Sequence, residues 1–135
     1  MVVTSDGAIY FSDPFWGGGF ANPYGPRVRP EDQELSFNGV FRVSPDGTVG
    51  PVAELAGPEP GVPDGMKVDV EGNVYCTGAG GVWIVAPSGE ILGRIAPPEI
   101  PANVAWGDAD WRALYITART SVYRVRLSIP GLAVP

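Results

Sequence analysis

Between residues 72 and 126 the chain repeats itself. Gly72-Asn-Val-Tyr-Cys-Thr, followed by Gly81-Val-Trp-Ile-Val, is matched by Arg112-Ala-Leu-Tyr-Ile-Thr, followed by Ser121-Val-Tyr-Arg-Val. Tyr75 thus aligns with Tyr115 and Val82 with Val122, both at an offset of 40 residues. A self-similar unit of about 40 residues built from short β runs is the signature of propeller blades, whose strands bury their faces only by stacking on neighbouring blades. Earlier segments carry the same two halves. Asp6-Gly-Ala-Ile-Tyr-Phe-Ser matches the first and Asn38-Gly-Val-Phe-Arg-Val the second, with Phe41 standing 42 residues before Trp83. The best-defined unit predicts an inner strand over Met66–Val70, then strands over Val74–Thr77, Val82–Ala86 and Glu90–Ile95. Val, Ile, Tyr and Trp fill these runs and Gly, Pro, Asn and Asp bound them. No stretch has a 3.6-residue apolar period. The expectation is an all-β chain of about three four-stranded blades, a partial β-propeller forming one domain over residues 1–135.

Glycine and proline, 19 and 15 residues, suit many short strands joined by tight turns, and 44% hydrophobic residues suffice for a packed core. The net charge of −6 argues against a nucleic-acid partner. Neither a signal peptide nor a membrane-spanning run is apparent, so no membrane partner and a cytoplasmic location are expected. The single cysteine, Cys76, lies within an apolar strand pattern and reads as a buried, inert thiol. With no histidine and one cysteine, the chain builds no Ser-His-Asp triad, Cys-His pair or thiolate zinc site. Chemistry here must rest on oxygen atoms, which suit hard cations such as Ca²⁺ or Mg²⁺.

Position separates the turns. Asp6-Gly7, Asp46-Gly47, Glu71-Gly72 and Ser88-Gly89 fall between consecutive strands of a blade, where a hairpin demands φ > 0. Pro63-Asp64-Gly65 instead precedes an inner strand, which puts Asp64 at the channel mouth, either as a plain strand entrance or as a ligand-binding carboxylate. Asn103 takes nearly the same place in the next blade. Arg119, in the turn after Thr117, either faces the channel or is solvated. Residues 13–37 form a long loop holding Phe15, Trp16, Phe20 and Tyr24, readable as a lid whose Trp16 packs on a sugar ring or as aromatics that pin the loop down.

Asp6-Gly-Ala-Ile-Tyr-Phe-Ser-Asp-Pro-Phe-Trp-Gly, Phe37-Asn-Gly-Val-Phe-Arg-Val, Val62-Pro-Asp-Gly-Met-Lys-Val-Asp, Gly72-Asn-Val-Tyr-Cys-Thr and Pro101-Ala-Asn-Val-Ala-Trp-Gly, in this order, resemble the gluconolactonase, or senescence-marker-protein/regucalcin-like, family. The resemblance implies a six-bladed parent fold that binds a divalent cation, Ca²⁺ above all, and hydrolyses small-molecule sugar lactones such as gluconolactone. It implies that Asp64 is both metal ligand and general base; Asn103 and Trp16, by their positions at the channel entrance and in the long loop, are the candidate substrate-binding residues. The chain also departs from the family. The glutamate ligand of an N-terminal strand and the asparagine-aspartate pair before the opening strand have no counterpart here. The blade entered by Pro-Asn-Gly, with its metal-binding asparagine, is missing between Gly47 and Pro63. Three readings follow: a metal-dependent lactonase, a non-catalytic propeller that serves as a binding module, and an inactive fragment. Open blade edges imply self-association.

Overall fold

The computed structural model describes residues 1–14 and 38–133. Its strands form three antiparallel sheets. The first blade comprises β1 (Val2–Val3), β2 (Ile9–Asp13), β3 (Gly39–Val43) and β4 (Val49–Glu54). The second comprises β5 (Met66–Val68), β6 (Val74–Gly78), β7 (Gly81–Val85) and β8 (Ile91–Ile95), and the third β9 (Pro101–Gly107), β10 (Ala113–Ala118) and β11 (Val122–Arg126). Within each sheet the strands neighbour one another in chain order, as in a propeller blade. The architecture is the expected all-β partial propeller. Among the described residues no helix is long and apolar enough to cross a membrane.

Turn chemistry fixes the polarity of the blades. Gly7, Gly47, Gly72 and Gly89 all have φ between 83° and 89°, a region costly for other residues. Each closes a hairpin, between β1 and β2, β3 and β4, β5 and β6, and β7 and β8. In an up-and-down blade these turns share one end with the β9–β10 connection. The starts of β5 and β9 and the β10–β11 turn lie at the other end.

Packing between blades forms the core. Ala8, Tyr10 and Val40 of the first blade meet Met66, Val74, Cys76 and Val85 of the second. Tyr75 and Val82 of the second meet Val104, Trp106, Leu114 and Ile116 of the third. Full burial of a Val, Leu or Ile side chain contributes about 1.5–3 kcal/mol, so these seams hold the blades together. The Tyr75 and Trp106 rings meet edge to face with centroids 4.9 Å apart, an arrangement favoured by ring electrostatics. Burial also explains Asp69, which is 2% exposed. Its carboxylate accepts bonds from the Glu71 and Asn73 backbone N–H groups, the Asn73 amide and the Tyr75 hydroxyl.

The third blade departs from the four-stranded expectation: it has three strands among the described residues. After β11 the chain turns back toward the second blade and runs beside the end of β5. Val70 N–H donates to Pro130 C=O at 3.0 Å and Leu132 N–H to Val68 C=O at 3.0 Å. Gly131 lies against the Trp106 indole, whose N–H also donates to Val68 C=O, at 2.8 Å. Residues 130–132 therefore cover the free edge at the end of β5.

Candidate functional site

Asp64 sits at the head of β5, on the end opposite the glycine hairpins, and its backbone is held from two sides. Its N–H donates to the Thr77 hydroxyl at 3.0 Å, and that hydroxyl donates to Val62 C=O at 3.2 Å. Ser12, from β2, donates its hydroxyl to Asp64 C=O at 3.2 Å. Thr77 is fully buried on β6, so the Val62–Asp64 segment is stapled to a rigid strand. The Asp64 side chain is exposed, and its carboxylate has no hydrogen-bond or ion-pair partner among the described residues. The result is a fixed backbone carrying a free carboxylate.

The neighbouring blade reaches the same place through an irregularity in β9. Asn103 pairs with Thr117 but Pro101 pairs with Ala118, which leaves Ala102 as the extra residue of a β-bulge. Ala102 C=O accepts the Gly65 N–H at 3.1 Å, which ties the bulge to the strand that carries Asp64. Asn103 follows directly. A Cβ on Gly65 would lie 2.1 Å from Asn103 Oδ1 and 2.6 Å from its Cα, so Asn103 packs where Gly65 has no side chain. The Asn103 Oδ1 is turned back to accept its neighbour's N–H, from Val104 at 2.8 Å. Asn103 is thus close to Asp64 through Gly65, but its amide oxygen is engaged locally.

A pocket of about 340 Å³ opens between the second and third blades at this end. It is lined by Asp64, Val62, Ile100, Pro101, Ala102 and Arg119, among others. Asp64 and Arg119 are its charged groups, and they do not form an ion pair with each other. Such a volume lies within the range typical of small-molecule sites, which combine apolar walls with a few polar groups. Asn103 is not part of the lining. Asp13, expected to open the long loop, is instead the last residue of β2 and pairs with Gly39, and Trp16 with the rest of residues 15–37 lies outside the described residues.

The turn that carries Arg119 is itself anchored. Glu99 accepts the Thr120 N–H at 2.9 Å, the Thr120 hydroxyl at 2.6 Å and the Ser121 hydroxyl at 3.1 Å. The Thr120 bonds hold the Glu99 carboxyl below the usual carboxylate range, so it stays ionised. No local pattern announces this clamp, because its partners are 21 and 22 residues apart.

Cys76 takes no part in the site and packs in the seam between the first and second blades. Burial pushes its thiol up to about 12; the chain's amino terminus opposes this and Asp64 adds to it, so at neutral pH it is an inert thiol, as its apolar strand suggested.

A Ca²⁺ ion takes six to eight oxygens at about 2.3–2.6 Å. Among the described residues no three Asp, Glu or Cys side chains converge on one point. Asp64 brings one carboxylate, and the nearby Asn103 oxygen is already bonded to Val104. These residues do not by themselves make a cation site.

Comparison with known proteins agrees with the fold and its motifs. A gluconolactonase of Zymomonas mobilis subsp. mobilis is 28% identical over 188 residues, covering 97% of this chain and 50% of the relative. The chain therefore spans about half the length of that curated relative. The alignment is also longer than the chain itself, so the relative holds residues within the aligned region that have no counterpart here, an excess of about one blade. A solved structure assigned to the gluconolactonases superimposes with a TM-score of 0.56 at 25% identity, over 98% of this chain and 59% of that one. A gluconolactonase of Xanthomonas campestris aligns over 96% of this chain and 55% of its own at 24% identity, with a TM-score of 0.48, too low to bear on the fold. The model of the SMP-30/gluconolactonase/LRE-like region matches residues 26–120, and the chain belongs to that family.

Proposed function

We propose that this chain carries a lactone-hydrolysing site of its family, with Asp64 as the general base. The observation that carries the reading is Asp64 itself: an anchored backbone with an exposed, unpartnered carboxylate, in a residue that lines a pocket sized for a small molecule. In this reading Asp64 takes a proton from a water molecule, and the water oxygen adds to the lactone carbonyl carbon. The tetrahedral intermediate then collapses with cleavage of the bond to the ring oxygen, which takes the proton back from Asp64. Water is consumed and one hydroxy acid is formed. General-base assistance of this kind contributes about 10²–10⁴-fold.

The family's cation is a separate matter. Asp64 would be one ligand of a Ca²⁺ ion, and a site with so few donors predicts weak binding, so no step above is routed through it. Hydrolysis of gluconolactone by wild type, followed by acid release, should fall at least about 100-fold in Asp64→Asn. Since Asp64 is exposed, the variant's melting temperature should match wild type. Equal turnover in wild type and Asp64→Asn would remove Asp64 from the mechanism. A folded wild type with no turnover, with or without added Ca²⁺, would favour the second reading, a non-catalytic binding module, for which the single carboxylate of the site already speaks.

A further inference from the structure

The pocket's second charge has no place in the chemistry above. Four of the described arginines are held by carboxylates: Arg42 by Asp6, Arg94 by Glu59, Arg124 by Asp108 and Arg126 by Asp110. Arg119 has no such partner among the described residues, although it lines a pocket whose remaining walls are largely apolar. Its backbone is not left to wander. The turn that presents it is clamped by three hydrogen bonds to Glu99, and Ala118 before it is paired to Pro101 at the β9 bulge.

An arginine on an anchored turn beside an apolar wall, with its side-chain donors unused, is matched by a planar anion that accepts two parallel N–H bonds. The geometry points to Arg119 as a carboxylate-recognition residue that selects sugar acids for this pocket. The inference rests on the pocket being the one used by the proposed lactonase. It deepens that reading by naming the ligand class. The carboxylate has two sources: the acid end released when a lactone ring opens, or a second acid group already present on the substrate.

Calorimetric titration of the full chain with D-gluconate, D-glucuronate and D-glucitol separates these. Gluconate carries the acid at the ring-opening end, glucuronate carries it at the far end, and glucitol is an uncharged polyol. Wild type should bind at least one acid about tenfold or more tightly than glucitol. That preference should vanish in Arg119→Gln and survive in part in Arg119→Lys. It should weaken in Glu99→Gln, which keeps the arginine but loosens its turn. Preference for gluconate identifies product recognition, and preference for glucuronate identifies a substrate with its own acid group. The proposal is overturned if glucitol binds as tightly as the acids, if Arg119→Gln keeps the preference, or if no acid binds to the folded wild type. Acid binding without lactone turnover would retire the lactonase reading alone, and turnover without acid preference would retire this one alone.

Discussion

At Gly65, what matters is an absent side chain. Its φ is not in the left-handed region, so turn geometry does not explain the glycine. It is needed because the Asn103 main chain and side chain of the next blade fill the space a Cβ would take. Gly65→Ala should therefore push the second and third blades apart, at a cost of about 1–3 kcal/mol in urea unfolding, as overpacking commonly does. Adding Asn103→Ala should recover part of that loss and no more, because the Asn103 Cα also lies within 2.6 Å of the missing methyl. The sequence set Pro63-Asp64-Gly65 apart from the hairpin turns by its place before an inner strand, and the structure agrees on that place. It gave no reason for the glycine, since the reason is a contact with a residue 38 positions away. The four hairpin glycines were legible because their cause is local: two strands joined by a tight turn require φ > 0 wherever they occur.

At the scale of elements, the third blade shows which signals are short-range and which are not. The repeat located β10 and β11, and Pro101-Ala-Asn-Val-Ala-Trp located the entrance to β9. The Ala102 bulge, the Glu99 clamp and the return of the tail to β5 each depend on pairing across the fold and left no periodic trace. The sequence therefore read Arg119 as a turn residue, channel-facing or solvated, and only the fold places it on the pocket. The opposite end of this blade makes a pH prediction. Asp108 is held below the ordinary aspartate value of 3.8 by bonds from Arg124 and then Tyr115, and Asp110 by Arg126. A carboxyl whose folded value is depressed adds stability above its unfolded value and loses it as pH falls through the folded one. The melting temperature should thus be level from neutral pH to about 5 and fall below 3.8, and Asp108→Asn should flatten part of that fall. Both carboxylates are exposed, so the effect should be small and reduced further by salt.

Taken whole, the molecule is an arc of blades whose exposed faces mix ion pairs with apolar side chains. The first blade carries the Arg42–Asp6 pair and the third the Arg124–Asp108 and Arg126–Asp110 pairs. Val3 and Val49 of the first blade are 57% and 60% accessible, Leu92 on the outer strand of the second 52%, and Val122 on the outer strand of the third 66%. Apolar edge strands are templates for pairing with another chain. Sedimentation velocity should show association that rises with concentration, and Val49→Lys with Leu92→Lys should shift it toward monomer. A single species unchanged over a hundredfold range of about micromolar concentrations would remove the expectation. The sealed thiol between the first and second blades has a practical corollary. Because Cys76 is the chain's one cysteine and is both buried and protonated at neutral pH, a cysteine introduced at an exposed hairpin such as Ser88 would be the sole site open to maleimide chemistry. The protein thus offers a silent background on which a single fluorophore or spin label can be placed at will.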